Sequence, residues 1–507
     1  MLNRPPQRVL LLVLLAAGLF YACTIREGHD WTGDFAQYLQ HAQHLAAGEP
    51  YALSGIAMSR LVVPPPYPAA YPPVYPAVLA PLMALRGPDL ELFKLVNVLF
   101  FIPALYLVAR LFQRRLRPMS LIAVIALTAL NPHCWAMKDV VLSDIMFIFF
   151  VYAALLAVRT SAEAGKGTPW ARFGFLAAGL LSYLAFATRT AGIVILPAAI
   201  LLDLLRTRRI RMANILATLV VAVPVTVAQL VLLPGGAGYL TWIGEADWRV
   251  YLFSLMLRLR SFAGLWGAEN PTPVTLGLAA LAGLALLFLY ARRLLRGADL
   301  IDIFFALYLL VLLVYPGGTL RYLVPVLPVM LLYLFEGIDA IQGKAWLRPA
   351  FRCLLVLTLL FAYATGYGRK NLTTIPHGVT SPEARGLFQH IRERTPPDAV
   401  ILCHKPRVIH FYTGRTAAPY YRPFEDWFRR LEISRRRHTG QTSDLTDADF
   451  GWRFELIREV GADYLLQSDH SSYDRTILVA MLERYPERFT LLHTTTHFRL
   501  YRIERIE

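Results

Sequence analysis

Residues 4–23 read RPPQRVLLLVLLAAGLFYAC, an apolar run with two arginines before its hydrophobic part. Such a run resembles a secretory signal peptide, but Phe20 and Tyr21 stand where a cleavage site requires small residues. We therefore interpret it as an uncleaved first transmembrane helix. Because Arg4 and Arg8 precede it, we expect its N-terminus in the cytoplasm.

The whole chain is too apolar for an ordinary soluble globule. Of its 507 residues, 56% are hydrophobic and 17% are charged, with a mean hydropathy of +0.45. A formal charge of +16 would suggest nucleic acid as the partner of a soluble protein. Here the basic residues form short clusters between apolar runs, as in cytoplasmic loops. We expect an integral membrane protein and no nucleic acid partner.

Apolar runs recur along the first 368 residues, and a membrane span needs about 17–25 of them. After the first run, they cover residues 92–112, 119–137, 141–158, 171–188, 190–205, 212–233, 273–291, 300–316, 320–338 and 349–367. The segment 71–85 is ambiguous. If it does not fully cross, all four basic clusters fall on the cytoplasmic side; they are residues 114–117, 206–211, 292–296 and 344–352. This predicts a mainly α polytopic bundle of about eleven spans, with 71–85 re-entrant or interfacial, and about thirteen spans as the alternative.

The chain changes character after residue 368. Residues 369–507 are rich in charged residues and His, and their pattern predicts a small α/β fold. The predicted elements are a helix over 382–394, strands over 399–404 and 462–467, and a closing hairpin over 489–503. We therefore expect a membrane domain, 1–368, and an extracytoplasmic α/β domain, 369–507. An odd number of spans also places the loops 26–70 and 234–272 outside.

Residues 29–38, HDWTGDFAQY, contain the first candidate for catalysis. Apolar residues then recur every three or four positions up to Gly48, which predicts an amphipathic helix along the membrane interface. Asp34 stands where an N-cap belongs, so its carboxylate is expected to bind first-turn amides. A carboxylate at the membrane surface can also be the general base that deprotonates an attacking hydroxyl. Asp30 is the second candidate, to orient Asp34 or share a divalent ion, with a solvated loop residue as the alternative.

Several short motifs, in this order, resemble the GT-C superfamily of membrane glycosyltransferases. The similarity is closest to the branch of bacterial aminoarabinose transferases and protein O-mannosyltransferases. The motifs are GDFAQY at 33–38, YPPVYP at 71–76, Ser143-Asp144, TRTAG at 188–192 and RYLVP at 321–325.

The resemblance implies an inverting transfer of a sugar from a polyprenyl phosphate carrier to an acceptor hydroxyl. The acceptor would be an envelope glycan, lipid or protein on the outer face of the bacterial cytoplasmic membrane. Asp34 matches the catalytic carboxylate of the family's first loop. Many relatives have two adjacent acidic residues there, whereas Phe35 follows Asp34 in this chain. Some relatives have a Lys or His where this chain has Tyr71, so no phosphate ligand is transferred from that position.

The leaving phosphate needs a cationic partner, and arginine binds phosphate oxygens in pairs. Arg189 and Arg321 are the main candidates because the predicted topology places both at the outer surface. Arg60 in the first loop is a weaker candidate. The structural alternative for all three is an interfacial, snorkelling or solvated arginine.

Further polar and aromatic residues are expected near the outer ends of the spans. Asp144 lies in an apolar run, where a carboxylate is costly unless paired, so we expect an ion pair with Lys138 or an arginine. Lining the donor pocket is a second role for these two residues. Tyr71 and Tyr75 either belong to an interfacial aromatic belt or bind a sugar.

Cofactor motifs are missing from the sequence. None of the four cysteines forms a CxxC or metal-ligand spacing, so no metal ligands are assigned. Binding of a divalent ion is kept as an alternative. The absence of a P-loop or GxGxxG motif agrees with a sugar donor that is activated beforehand.

Three functions remain in order of preference. A glycosyltransferase is the first, and a transporter or flippase of lipid-linked sugars is the second. An envelope scaffold ranks last because it leaves Asp34 and the outer arginines without a task.

Overall fold

Segments from three parts of the chain make up each of two structural units. The computed structural model describes residues 5–52, 54–165, 168–231, 238–267, 272–428, 447–471 and 473–504. The helical unit consists of Met1–Glu27, Pro72–Leu232 and Tyr251–Thr374. The α/β unit consists of Gly28–Tyr71, Leu233–Val250 and Ile375–Glu507. The first loop thus groups by its contacts with the C-terminal residues.

The helical unit is built from apolar helices, most of them long, and a few short turns. Those before residue 170 are Pro5–Cys23, Val74–Arg86, Leu90–Phe112, Pro118–Ala129, Pro132–Met137, Asp144–Glu163 and Pro169–Phe186. The later ones are Thr190–Val194 (3₁₀), Ile195–Thr207, Met212–Val231, Trp248–Leu265 (from Tyr251 onward), Pro273–Leu295, Leu300–Val314, Leu320–Val326 (3₁₀), Leu327–Asp339 and Leu347–Tyr367. The predicted outer loop 234–272 is therefore largely helical where it is described; 234–237 and 268–271 lie outside the described residues.

Among the described residues, six helical stretches are long and apolar enough to cross a membrane, and the chain is a multi-pass membrane protein. They are Leu90–Phe112, Asp144–Glu163, Thr190–Thr207, Pro273–Leu295, Leu320–Asp339 and Leu347–Tyr367. The remaining predicted runs contain shorter apolar helices, so the total number of spans stays a prediction. Val74–Arg86 has 13 residues, or about 20 Å, against a hydrocarbon core of about 30 Å. That length suits the predicted re-entrant or interfacial segment.

The helices differ strongly in how much of their apolar surface the protein covers. Asp144–Glu163 packs against Leu90–Phe112 and Pro169–Phe186, and most of its side chains are buried. In contrast, four leucines of Pro273–Leu295 are each 62–64% exposed; they are Leu278, Leu281, Leu284 and Leu287. An exposed leucine stripe of this length is unfavourable in water and favourable against lipid tails.

One predicted span is broken in the structure. Residues 119–137 form two helices, Pro118–Ala129 and Pro132–Met137. Pro132 has no N–H to continue the first helix. Instead, the Asn131 side chain accepts from the amides of His133 (2.9 Å) and Cys134 (3.3 Å) and begins a new helix.

The four basic clusters meet at one end of the helical unit. Arg115 binds Asp302 (2.9 Å), Asp299 (3.2 Å) and Glu336 (2.6 Å). The other three clusters contact the same acidic turns: Arg293 reaches Asp302 (3.2 Å), Arg352 reaches Asp339 (3.1 Å), and Arg206 donates to the Ala298 carbonyl (2.9 Å). This is the arrangement predicted for clusters that share one side of the membrane. Which face that end meets remains a prediction.

The α/β unit contains a five-stranded mixed sheet. Its strands are β1 (Val400–Cys403), β2 (Thr416–Ala418), β3 (Tyr464–Ser468), β4 (Phe489–Thr494) and β5 (Phe498–Ile503), in the order β2-β1-β3-β5-β4. β1 is parallel to β2 and β3, whereas β5 is antiparallel to β3 and β4. The predicted strands near 399 and 462 and the closing hairpin are confirmed.

Helices and one first-loop segment complete the α/β unit. The predicted helix over 382–394 is confirmed as Pro382–Arg394. The others are Gly33–Ala47, Gly238–Gly244, Pro406–Thr413, Asp447–Val460, a π-helical turn Asp474–Leu478, Val479–Arg484 and a 3₁₀ turn Pro486–Arg488. Ile56 pairs with Ala417 in a parallel bridge, so the first loop extends the β2 edge of the sheet.

Replacing Arg115 by Ala is expected to destabilise the helical unit strongly. The side chain of Arg115 is 7% exposed, and removing one partner of a buried ion pair costs about 3–5 kcal/mol. Arg114→Ala is the matched control, because its pair with Glu163 has a 63% exposed arginine and is worth about 0–1 kcal/mol. Thermal unfolding of the purified proteins in detergent measures both. Equal midpoints for the two variants would contradict the structural role of Arg115.

Candidate active site

Asp34 lies in the first turn of the helix Gly33–Ala47 in the α/β unit. Thr32, not Asp34, is the N-cap residue, which corrects the predicted capping role. The Asp34 carboxylate accepts hydrogen bonds from the Tyr71 hydroxyl (2.9 Å) and from Arg407 Nη2 (3.0 Å). Its side chain is 20% exposed, so it stays within reach of a small ligand.

The helix that carries Asp34 is covered by the protein along most of its length. Residues 35–42 are all buried, and the position of the helix along the membrane interface stays a prediction. The helix packs against Pro406–Thr413. It ends, as predicted, at Gly48, whose left-handed backbone (φ 70°) suits glycine.

Arg407 holds the Asp34 group together. Its Nη1 atom donates to Gln37 Oε1 (2.7 Å) and to the Tyr71 hydroxyl (2.8 Å). The guanidinium also lies over the Tyr67 ring, 4.3 Å from its centroid. Burial lowers the pKa of Arg407, but the neighbouring Tyr71 and Asp34 raise it by more, so it ends above its ordinary value. A permanent cation therefore faces the Asp34 carboxylate.

Gly33 makes this close approach feasible. A Cβ atom at position 33 would stand 2.9 Å from Arg407 Nη2. Any other residue would displace the guanidinium from the Asp34 carboxylate.

Tyr71, a predicted substrate-binding residue, is held in position within the α/β unit. Its ring stacks on Tyr38 at 4.8 Å, and its amide donates to His41 Nε2 (3.2 Å). Burial and the charges of His44 and Arg407 lower the pKa of His41 to about 3. His41 therefore stays neutral and accepts this bond at physiological pH.

Asp30 shapes the turn before the helix. Its carboxylate accepts from the Thr32 amide (3.0 Å) and hydroxyl (2.6 Å), and His29 Nδ1 lies 3.3 Å away. Burial raises the pKa of Asp30, but the hydrogen bonds and charge of His29, together with Thr32, hold it well below its ordinary value. Asp30 is therefore ionised at neutral pH.

A cavity of about 340 Å³ opens beside Asp30 within the α/β unit. Its polar wall includes Asp30, His404, Lys405, His470 and Ser471, and its aromatic wall includes Trp31. The Trp31 ring is fixed, because its Nε1 donates to the His377 carbonyl (2.8 Å) and the ring packs at a tilt against Phe498, with centroids 5.0 Å apart. A rigid aromatic ring next to polar donors and acceptors suits a sugar.

Lys405 adds a buried amino group to this cavity. Burial lowers the pKa of Lys405, and the charge of Arg407 lowers it further. The carboxylates of Asp34 and Asp30 offset part of both effects, so Lys405 lies within electrostatic reach of the two predicted catalytic residues.

Neither Lys405 nor Arg407 was among the predicted site residues. One signal could have found them: both directly follow β1, a buried strand. The carboxyl ends of parallel strands are where α/β sheets bind ligands.

In the helical unit, Arg189 and Asp144 form an ion pair (2.9 Å), which confirms the expected pairing of Asp144 with an arginine. Asp144 is buried. Arg189 and Arg321 approach the ring of Tyr322, at 5.2 and 5.3 Å from its centroid. Two of the predicted phosphate ligands therefore share one aromatic neighbour.

Lys138 belongs to a separate charged group of the helical unit. It binds the buried Asp139 (2.6 Å), which also accepts from Arg26 Nε (2.7 Å). Lys138 lies over the Trp135 ring at 3.9 Å. The carboxylate that pairs with Lys138 is thus Asp139, and Asp144 takes Arg189.

The last two predicted residues are Tyr75 and Arg60. Tyr75 is buried in the helix Val74–Arg86, and its hydroxyl lies 3.4 Å from Asn97 Oδ1. Arg60 of the α/β unit is 90% exposed, with Glu459 Oε1 at 3.6 Å. These positions suit packing and solvation, and roles in binding stay predictions.

No protein-family profile matches the chain, and no curated protein matches it in sequence. Solved structures do match. The chain is similar to ArnT from Cupriavidus metallidurans bound to undecaprenyl phosphate, with a TM-score of 0.54 and 14% identity over 97% of both chains.

A second similar structure is the oligosaccharyltransferase AglB from Archaeoglobus fulgidus, in complex with an inhibitory peptide and a dolichol-phosphate. Its TM-score is 0.56 at 12% identity, over 90% of this chain and 69% of AglB. At such identities the likeness is one of fold. The chain has the fold of these two proteins, which agrees with the GT-C-like helix bundle that its motifs predict.

Proposed function

We propose that this protein is an inverting glycosyltransferase that moves a sugar from a polyprenyl phosphate carrier to an acceptor hydroxyl. The observation that carries the proposal is the Asp34 carboxylate, held by Arg407 and Tyr71 in the same unit as a polar, aromatic cavity. The GT-C fold supports it, because ArnT and AglB structures contain undecaprenyl phosphate and a dolichol-phosphate.

In the proposed reaction, the acceptor oxygen attacks the anomeric carbon as the bond from that carbon to the phosphate oxygen breaks. The acceptor hydroxyl loses its proton to Asp34, and polyprenyl phosphate leaves. Asp34 paired with Arg407 is a weak base. However, the hydroxyl becomes strongly acidic as its oxygen bonds to an oxocarbenium-like carbon, so a carboxylate fixed at the right position suffices.

The cavity is the proposed acceptor site. Asp30 can accept hydrogen bonds from sugar hydroxyls, Lys405 can donate to them, and Trp31 offers a face for the ring. In the helical unit, Arg189 and Arg321 are the proposed ligands of the carrier phosphate, whose charge grows as it departs. We place the reaction at the outer face of the bacterial cytoplasmic membrane, with the α/β unit outside the cell.

Asp34→Asn is expected to lower the transfer rate by about 10²–10⁴-fold, the usual contribution of a general base. Purified protein is given lipid-linked sugars and the envelope glycan fraction from cells that lack the gene, and mass spectrometry follows the sugar. Asp398→Asn is the matched control, because Asp398 is exposed in the same unit.

Two results of this experiment would count against the proposal. Equal turnover by the wild type and Asp34→Asn would remove Asp34 from the reaction. Binding of the carrier without any consumption by the wild type would favour a transporter of lipid-linked sugars.

Arg407→Lys is expected to lower kcat by about 100-fold with little change in the KM for the acceptor. Lysine keeps the charge but loses the planar fork that reaches Asp34, Gln37 and Tyr71 together, and a misplacement of about 1 Å has this effect on rate. Arg392→Lys on the exposed surface is the control. A change in KM alone would show that Arg407 binds substrate and does not position Asp34.

Arg189→Gln and Arg321→Gln are each expected to weaken binding of undecaprenyl phosphate by about 10–100-fold. A hydrogen bond to a charged group contributes about 1.5–3 kcal/mol. Because Arg189→Gln leaves Asp144 buried without its partner, the double variant with Asp144→Asn separates binding from folding. Stabilisation of the protein against heat by the lipid reports its affinity, and unchanged stabilisation in both arginine variants would exclude them as phosphate ligands.

A further inference from the structure

Three potential metal ligands meet at the surface of the α/β unit. They are His377, Glu383 and His497, and one ligand atom from each lies within 4.8 Å of the other two. They come from three different elements: the segment before the helix Pro382–Arg394, the first turn of that helix, and the β4–β5 turn.

Glu383 fixes the imidazole of His497. Its Oε2 atom lies 2.8 Å from His497 Nδ1, and its Oε1 accepts from the His497 amide (2.7 Å) and the Thr495 hydroxyl (2.6 Å). Without metal, Nδ1 carries the hydrogen of this contact, because a carboxylate only accepts. A metal ion can take the place of that hydrogen: Nδ1 gives up its proton, and both atoms then bind the ion.

His377 completes the group from the other side. Its ring lies 5.1 Å from that of His497, in an edge-to-face arrangement. Its backbone is left-handed (φ 56°), which is uncommon for a residue other than glycine. The hydrogen bonds between Glu383 and the β4–β5 turn explain the positions of Glu383 and His497. They do not explain why His377 is also held beside them.

His470 adds another imidazole on the far side of His497, with ring centroids 4.7 Å apart. His470 also lines the cavity described above, and the His377 carbonyl accepts the hydrogen bond of Trp31. An ion at His377 and His497 would therefore brace the cavity wall that contains Trp31 and His470.

We propose that His377, Glu383 and His497 bind one divalent transition-metal ion of the zinc type. Imidazole nitrogen and carboxylate oxygen are ordinary zinc ligands, and three protein ligands leave one position for water. Two ligands of a tetrahedral zinc ion lie about 3.4 Å apart, so Glu383 and His497 need to separate slightly and His377 needs to close by little more than about 1 Å. His377 is exposed and can make this movement. The proposal does not depend on the transfer reaction.

The test uses the full-length protein in detergent, purified through a tag without histidines and stripped with a chelator. Zn²⁺ is titrated by calorimetry and Co²⁺ by absorption, which reports the ligand geometry. We expect one ion per chain and a higher unfolding temperature with metal. His377→Ala, Glu383→Gln and His497→Ala should each weaken binding by about 10–100-fold or more.

His390→Ala is the matched control. His390 and His493 stack at 4.0 Å in the same unit, but no third ligand joins them among the described residues. This variant should bind metal like the wild type.

The proposal fails if the wild type binds no ion, or if the His377 and His390 variants bind equally well. The unfolding temperature of each metal-free variant shows whether it folds. If His497→Ala does not fold, His377→Ala decides, because that change leaves the Glu383–His497 bond in place.

Discussion

The buried guanidinium of Arg407 joins two parts of the chain that are 373 residues apart. Asp34 and Tyr71 belong to the first loop, whereas Arg407 belongs to the helix that follows β1. A buried cation is tolerated only when its hydrogen bonds are satisfied. Asp34, Gln37 and Tyr71 satisfy them, and the Tyr67 ring covers one face. The α/β unit therefore depends on the first loop for its interior as much as for its candidate site.

The same requirement shapes the helical unit at one end. Arg115 is buried among Asp299, Asp302 and Glu336, and the basic residues of other turns contact the same acidic residues. Elsewhere the helix Pro273–Leu295 presents a leucine-rich face with little cover from the protein. The unit thus has two kinds of surface. Apolar surfaces suit lipid tails and select no particular neighbour, whereas the charged residues at one end pair with particular partners.

The candidate site follows a consistent chemical pattern. Both carboxylates of the α/β unit have donors arranged around them: Arg407 and Tyr71 around Asp34, and Thr32 and His29 around Asp30. Ionised carboxylates held in fixed directions suit the removal of a proton and the binding of hydroxyl groups. The Trp31 ring adds an apolar face, and its attachment to His377 connects the cavity to the proposed metal site.

The sequence alone determined the membrane character, the positions of the apolar helices, the shared end of the basic clusters and most strands of the α/β unit. These follow from local composition and periodicity, which act over one helix or one strand. It also pointed to Asp34 and Tyr71, and to the pairing of Asp144 with an arginine. The break at Pro132, the burial of the helix Gly33–Ala47 and the identity of the Asp34 partner depended on tertiary structure. Arg407, Lys405 and the His377–Glu383–His497 group lie in the tail, far along the chain from the first loop. Only the packing of the tail with that loop decides which charges meet, because a buried charge selects its partners through space and not through sequence.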